Sequence, residues 1–165
     1  MGSAVDRFMA QQGFHDEEAS SRRWHFRALQ FQPAVLAFAV AIAILLQSQI
    51  LFFIMAAVLV WNVVLPRLNI FERFYDWTIG RRSQKPSLEP APAPRRFAQG
   101  MAATFMAATG LSLALGWLIV AYAFEFFLVV ALTALIAGKF CMGSYIFHLL
   151  RGRSDFANAT CPWSK

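Results

Sequence analysis

Cysteine is scarce in this chain of 165 residues, which contains only Cys141 and Cys161. Two isolated cysteines form neither a disulfide framework nor the paired ligands of a zinc site. Glycine-rich phosphate loops and recognisable catalytic motifs are also missing. We therefore expect no metal and no cofactor, and we favour a role that is not enzymatic.

Charged residues are missing from two long stretches of the chain. Residues 28–65 contain none, and residues 97–150 contain only Glu125 and Lys139. Each stretch is longer than the roughly 20 residues that cross the hydrocarbon core of a bilayer once. Each stretch therefore indicates two membrane-spanning helices joined by a turn.

The segment Gln47-Ser48-Gln49 marks the turn in the first of these stretches. It separates a predicted helix over 27–47 from a second helix over 48–65. Pro66 is placed to end the second helix, because proline lacks the amide N–H that a helix needs. Together the two helices form a predicted transmembrane hairpin over 27–66.

The turn in the second stretch is placed at 121–124. The neighbouring Tyr122 and Glu125 are residues that favour the boundary between membrane and water. A second transmembrane hairpin then covers 96–150. The predicted fold is all-α and polytopic, with four transmembrane helices arranged as two hairpins.

The basic residues lie on one side of these predicted spans. Of the 15 lysines and arginines, all except Lys139 precede the first helix, follow the fourth, or lie between helices two and three. Basic residues concentrate in the cytoplasmic loops of membrane proteins. We therefore predict a bacterial inner (cytoplasmic) membrane protein with both termini in the cytoplasm. Its net charge of +6 then reflects attraction to the lipid bilayer and does not indicate nucleic-acid binding.

Polar segments complete the predicted organisation: a cytoplasmic N-terminal segment over 1–26, a central loop, and a cytoplasmic tail over 151–165. Within the central loop, residues 67–80 collect their polar side chains on one arc of a helix. This pattern indicates an interfacial amphipathic helix, which is either a membrane-surface anchor or a docking face for a partner protein. Prolines recur over 81–95, which predicts a solvated and extended cytoplasmic linker.

Small residues recur at every fourth position of the predicted third helix. They are Gly100, Thr104, Ala108, Ser112 and Gly116. Such a row lets another helix backbone approach closely. The row therefore predicts a helix-packing contact, either within this chain or with another membrane protein, which includes a second copy of this chain.

Lys139 falls near the middle of the predicted fourth helix, where hydrocarbon tolerates a cation poorly. From that depth its side chain is too short to reach the cytoplasmic surface. We favour a structural lysine that is hydrogen-bonded to Thr109, Ser112 or Asn62, with a polar pathway for a proton or an anion as the alternative. Lys139 and the nearby Cys141 are the candidate catalytic residues.

His25 and His148 both fall near the predicted cytoplasmic interface, at opposite ends of the membrane part. Two histidines can hold a haem iron, and a single histidine can bind the magnesium of a chlorophyll. Histidine at a membrane interface is more often an amphipathic anchor. His25 and His148 are therefore only weak candidates for cofactor binding.

Two short segments carry a family resemblance. They are Arg95-Arg96-Phe97-Ala98-Gln99 at the start of the predicted third helix, and Gly138-Lys139-Phe140-Cys141-Met142-Gly143-Ser144-Tyr145 in the fourth. The chain resembles a bacterial family of small four-helix integral membrane proteins of unknown function. Members of that family pair an Arg-Phe-Ala-Gln helix start with a Phe-Cys-x-Gly-Cys segment, and many are encoded beside thioredoxin-like or rhodanese-like proteins. In this chain Ser144 replaces the second cysteine.

The resemblance implies thiol chemistry, because two cysteines at the family spacing can alternate between dithiol and disulfide. With Ser144 as the second residue, Cys141 cannot complete this cycle within the motif. We therefore favour a non-catalytic accessory or scaffolding subunit of a membrane complex. The alternative is a membrane component of thiol-redox or sulfur-transfer chemistry that uses Cys141.

Overall fold

The computed structural model describes residues 4–14, 19–75, 77 and 91–161, and every regular element within these ranges is helical. The helices are α1 (Ala4–Gln12), α2 (Ala19–Leu45), α3 (Gln49–Val64), α4 (Ile70–Tyr75), α5 (Ala93–Ala114), α6 (Leu118–Ile136), α7 (Met142–Leu150) and α8 (Ser154–Thr160). A short 3₁₀ turn follows α3 at Pro66–Leu68. The predicted all-α class is confirmed.

Two of the described helices are long and apolar enough to cross a membrane. They are the His25–Leu45 part of α2 and the whole of α6, Leu118–Ile136. α3 is also apolar but shorter, at Gln49–Val64. By length and composition, the described part of the chain thus has two candidate membrane-spanning helices.

Four helices form a bundle in which each has two neighbours. α3 packs against α2 and α5, and α6 packs against the same two helices. Short turns over 46–48 and 115–117 join α2 to α3 and α5 to α6, and we call this end of the bundle the turn end. At the opposite end, the polar end, α1, α7 and α8 pack together with the beginnings of α2 and α5. The bundle core includes Leu36, Val40, Phe52, Leu59, Met106 and Leu128.

Local sequence signals explain the turn end. The hydroxyl of Ser48 accepts a hydrogen bond from the N–H of Leu51 at 3.4 Å and so caps the start of α3. At the other end of α3, towards the polar end of the bundle, Leu65 and Pro66 follow its last residue. Gly116 ends α5 with a φ of 74°, a left-handed conformation that glycine adopts without a steric penalty.

The turn predicted at 121–124 is wrong, because α5 already ends at Ala114 and α6 begins at Leu118. Glu125 does not reach water as expected, since it is only 5% exposed. Its carboxylate oxygens accept hydrogen bonds from Gln47 Nε2 at 3.3 and 3.4 Å. Glu125 therefore connects α6 to the turn between α2 and α3.

The predicted fourth helix is not continuous, because residues 137–141 separate α6 from α7. Lys139 has a φ of 49°, outside the helical range. A Cβ added at Gly138 would meet the carbonyl oxygen of Ala134 at 2.6 Å, so this position accepts only glycine without rearrangement. The segment over 96–150 therefore contains three helices, and Lys139 lies at the polar end of the bundle.

Contacts from distant helices stabilise this break. Gln30 Nε2 donates a hydrogen bond to the carbonyl oxygen of Leu135 at 3.5 Å. Lys139 Nζ lies 5.6 Å from the ring centre of Phe26, within cation–π range. A helix break leaves backbone polar groups without helical partners, and Gln30 supplies a partner for one of them, the carbonyl oxygen of Leu135.

The two ends of the chain fold onto the polar end of the bundle. α1 buries Phe8, Met9 and Gln11, and it contacts α2, α5, α7 and α8. The Tyr145 hydroxyl of α7 donates a hydrogen bond to Asn158 Oδ1 of α8 at 3.0 Å. The predicted N-terminal segment and tail are therefore packed parts of the structure over the residues that it describes.

α4 covers part of the predicted amphipathic helix over 67–80. Its Phe74 stacks on Phe31 of α2, with ring centres 6.2 Å apart. Residues 76 and 78–80 lie outside the described residues, as does the predicted linker up to residue 90.

Candidate functional site

A cavity of about 170 Å³ lies between the helices at the polar end. Its volume is close to that of an engineered protein cavity of about 150 Å³ that binds benzene. Most of the wall is apolar, with side chains that include Leu29, Leu36, Leu59, Ala102, Phe105, Met106, Phe127, Leu128, Ala131 and Leu135. The polar lining residues are Gln12, Gln32, Arg95, Gln99 and Cys141. An apolar cavity with a few polar groups is the usual form of a small-molecule site.

Gln32 of α2 and Arg95 and Gln99 of α5 form a polar corner of the cavity. Gln32 Oε1 accepts hydrogen bonds from Arg95 Nη2 at 3.2 Å and from Gln99 Nε2 at 3.0 Å. The three side chains are 4%, 5% and 7% exposed, in that order. Gln99 uses its amide nitrogen for this bond. Its amide oxygen, Oε1, is buried and has no hydrogen-bond partner among the described residues.

The unpaired oxygen of Gln99 has an energetic consequence. A buried acceptor without a donor costs about 1–3 kcal/mol. The two donors on Gln32 Oε1 hold Gln99 with its nitrogen towards Gln32, so turning the amide over would lose a hydrogen bond. Gln99 Oε1 is therefore a buried acceptor for which the described residues supply no donor.

Cys141 lies where α7 begins. It is the N-cap residue of α7 and is 7% exposed. Ser144 Oγ donates a hydrogen bond to Cys141 Sγ at 3.3 Å. The Ser144 hydroxyl thus holds the sulfur of Cys141 within the first turn of α7. The expectation that Cys141 lies deep within a continuous helix is wrong, because the break after α6 brings it to the cavity wall.

α1 covers the Cys141 end of the cavity. Gln11 is fully buried, and its Oε1 accepts a hydrogen bond from the N–H of Cys141 at 2.9 Å. The carbonyl oxygen of Gln11 lies 3.0 Å from His148 Nε2, near the end of α7. A single residue of α1 therefore holds both the beginning and the end of α7.

Two of the acceptors that the sequence suggested for Lys139 bond to other groups. The Thr109 hydroxyl donates to the carbonyl oxygen of Phe105 in its own helix at 2.9 Å. Asn62 Oδ1 accepts a hydrogen bond from the N–H of Ile70 at 3.2 Å. The predicted position of Lys139 in the middle of a helix is wrong, because the break places it at the polar end, with Nζ 5.6 Å from the ring centre of Phe26. Its role, as a structural lysine or on a polar pathway, stays a prediction.

His148 has a packing role. Its ring contacts Phe147 and Phe156, with ring centres 5.6 and 4.8 Å apart. Neither His25 nor His148 lines the cavity. In the part of the chain that the structure describes, no group of three or more His, Cys, Asp or Glu residues could hold a metal ion. These contacts give no support to haem or pigment binding, which stays a prediction.

The predicted row of small residues on α5 is partly open. Thr104 and Gly116 are exposed, and a Cβ added at Gly100 would meet no atom within 4 Å. The close approaches between helices occur instead at Gly110, against α3, and at Gly143, against Ala98 of α5. A partner on the open row, and with it the accessory role, stays a prediction.

The part of the chain that forms the cavity matches a known sequence family. A family model described as a domain of unknown function (DUF4395) matches residues 26–152, which include almost all of the cavity wall. The chain belongs to the DUF4395 family. No curated protein and no solved structure matches it. α1 and α8 lie outside the matched residues, so Gln11 reaches the DUF4395 domain from beyond its boundary.

The cavity residues of this DUF4395 domain left few signals in the sequence. Gln32 is a polar residue in an apolar stretch, which is a recognisable sign of a buried polar contact. In the sequence, Arg95 is one of the cations before the predicted third helix, and Arg95 and Gln99 both belong to a segment that carries the family resemblance. Gln11 carried no signal, because its role depends on how α1 folds back onto α7.

Proposed function

We propose that this DUF4395 protein is a multi-pass protein of the bacterial inner membrane with its polar end in the cytoplasm. The best support comes from α6, which is apolar along its length although only Ala121, Glu125 and Leu128 of its 19 residues are buried. Such a helix suits lipid better than water. With α3 and α5 crossing beside α2 and α6, the protein has four spans. The basic residues at the polar end support the orientation.

Cysteine labelling tests this topology. In a variant without the native cysteines, Ser48→Cys at the turn end is expected to react with a membrane-impermeant maleimide added outside intact spheroplasts. Arg153→Cys at the polar end is the matched control, and it is expected to react only after the membrane is permeabilised. The opposite labelling pattern would show that the polar end faces the periplasm. Equal labelling of both sites in intact spheroplasts would contradict a membrane-spanning bundle.

The proposed activity of the protein is to bind a small, mostly apolar molecule in the cavity. The observation that carries this proposal is the cavity itself, with its apolar wall and its polar corner at Gln32, Arg95 and Gln99. Phe127 and Met142 line the cavity and are 56% and 37% exposed, so one wall adjoins the surface that faces lipid. A molecule dissolved in the bilayer can enter from that side.

Cys141 gives this site a nucleophile. A thiol in the wall of a ligand cavity can form and break a covalent bond with a bound electrophile or sulfur carrier. This placement favours the thiol-chemistry alternative over a purely packing role for Cys141. Because Ser144 stands where a second thiol would resolve the adduct, the resolving thiol in this proposal belongs to another molecule.

Binding is tested by protection of Cys141 from alkylation. In a Cys161→Ala variant, saturating toluene is expected to slow the reaction of Cys141 with N-ethylmaleimide about tenfold or more, because the probe occupies the cavity that Cys141 lines. Ala131→Leu adds three carbon atoms to the cavity wall and is expected to abolish most of this protection. The measurement is the alkylation rate by intact-protein mass spectrometry.

Ala123→Leu is the matched control for the cavity-filling variant. Ala123 is exposed on the same helix and does not line the cavity, so protection by toluene is expected to be unchanged. Loss of protection in both variants would indicate a general effect on α6. Protection that persists in Ala131→Leu, or that is missing in the parent protein, would contradict binding in the cavity.

A further inference from the structure

We infer that the turn between α7 and α8 binds the phosphate of an anionic phospholipid. This inference rests on the membrane-spanning arrangement proposed above and does not depend on the cavity. It is carried by two arginines of the turn, Arg151 and Arg153, and by the two exposed leucines that precede them.

The backbone of this turn is held by hydrogen bonds to the end of α7. The N–H of Gly152 donates to the carbonyl oxygen of Leu149 at 3.0 Å, and the N–H of Arg153 donates to the carbonyl oxygen of His148 at 2.9 Å. Gly152 has a left-handed φ of 68°. This pair of bonds around a left-handed glycine is a Schellman motif, which closes many helices. The motif therefore fixes the backbone from which Arg151 and Arg153 extend.

Each of the two guanidinium groups lies against an aromatic ring. The guanidinium carbon of Arg151 is 5.2 Å from the ring centre of Phe147, and that of Arg153 is 4.8 Å from the ring centre of Phe156. Both arginines are exposed, and neither forms an ion pair with a carboxylate in the part of the chain that the structure describes. Contact with a ring uses the face of a guanidinium and leaves its N–H edge for an oxygen ligand. The turn thus offers positive charge and planar donors, which suit a phosphate.

The leucines favour a lipid over a soluble phosphate. Leu149 and Leu150 are the last residues of α7, and they are 40% and 73% exposed. Apolar side chains beside basic ones match the boundary where acyl chains meet headgroups. A soluble phosphate would engage the arginines and leave both leucines in water.

The packing of α7 places the turn at this boundary. α5 has 22 residues, so it is about 33 Å long, close to the roughly 30 Å of hydrocarbon in a bilayer. Phe147 packs on Phe97, in the second turn of α5, with ring centres 5.7 Å apart. Arg151 follows Phe147 by about one helical turn, just before α8 at the polar end. In the proposed orientation this level is the headgroup region of the cytoplasmic leaflet, where anionic lipids are common.

The test measures lipid binding to the detergent-solubilised protein by native mass spectrometry. Replacing both arginines, with Arg151→Gln and Arg153→Gln, is expected to lower the affinity for dioleoyl phosphatidylglycerol about tenfold, because charge-assisted hydrogen bonds to the phosphate are lost. The matched control is Arg27→Gln with Arg67→Gln, which removes two other exposed arginines and the same net charge. Its affinity for this lipid is expected to stay within about twofold of the parent.

Three results would overturn the inference. A similar loss of affinity in both double variants would mean that net charge alone attracts the lipid. Equal affinity of the parent for dioleoyl phosphatidylethanolamine, which is zwitterionic, would exclude selection of an anionic lipid. Displacement of the lipid by an equal concentration of glycerol 3-phosphate would indicate a site for soluble phosphates. Each of these results leaves the membrane-spanning arrangement intact, because cysteine labelling tests it separately.

Discussion

Replacing Gly143 by alanine is expected to lower the thermal unfolding temperature of the detergent-solubilised protein by about 5 °C or more. A Cβ at position 143 would lie 2.6 Å from both the Cα and the Cβ of Ala98. Neither atom belongs to a flexible side chain, so α7 has to move away from α5. Forcing extra carbon into a packed contact of this kind typically costs about 1–3 kcal/mol.

Gly100→Ala is the matched control, because the same substitution meets no atom within 4 Å there. Alanine is favoured over glycine inside a helix by roughly 0.5–1 kcal/mol. Gly100→Ala is therefore expected to leave the unfolding temperature unchanged or to raise it slightly. Gly143→Ala should thus lower the unfolding temperature and Gly100→Ala should not, when unfolding is followed by light scattering or intrinsic fluorescence on heating. Equal destabilisation would contradict the close contact between α5 and α7.

Gln11→Leu is expected to increase the alkylation rate of Cys141 by roughly tenfold to a hundredfold. The substitution removes the acceptor of the Cys141 N–H and leaves that group buried without a partner. A buried unpaired donor costs about 1–3 kcal/mol, and separation of α1 from α7 relieves this cost. Since α1 covers the thiol, each opening exposes Cys141 to reagent. The measurement is the maleimide reaction rate in a Cys161→Ala background.

Gln30→Leu controls for the loss of a partly buried glutamine near the same break. Gln30 Nε2 donates a hydrogen bond to the carbonyl oxygen of Leu135, whereas the N–H of Cys141 bonds to Gln11. Its substitution is expected to change the Cys141 rate by less than about threefold. A similar acceleration in both variants would mean that general loosening of the break, and not the cover formed by α1, controls access to the thiol.

The helix ends that the sequence located well are those set by local chemistry. A second helix over 48–65 was predicted, and α3 covers Gln49–Val64. Ser48 caps this helix through its own hydroxyl, and Pro66 lacks the N–H that would continue it. Both effects involve residues within a few positions of each other, so they can be read directly from the amino-acid order.

The helix ends that the sequence predicts wrongly depend on polar residues that can be satisfied in more than one way. The sequence predicts the turn of the second hairpin at 121–124, because Tyr122 and Glu125 favour the boundary between membrane and water. The structure turns earlier, at Gly116, and Glu125 finds a partner in Gln47. A carboxylate can be satisfied by water or by an amide from another helix, and only the positions of both helices distinguish these cases.

Composition and local order were enough to establish an all-helical chain with long apolar helices, because hydrophobicity and capping are properties of neighbouring residues. The break between α6 and α7 and the cavity beside it required the tertiary structure. Gln11 bonds to Cys141 across 130 positions of the chain, and Gln30 bonds to Leu135 across 105. Such contacts decide where backbone polar groups find their partners, and therefore whether Lys139 and Cys141 lie within a helix or at the edge of a cavity.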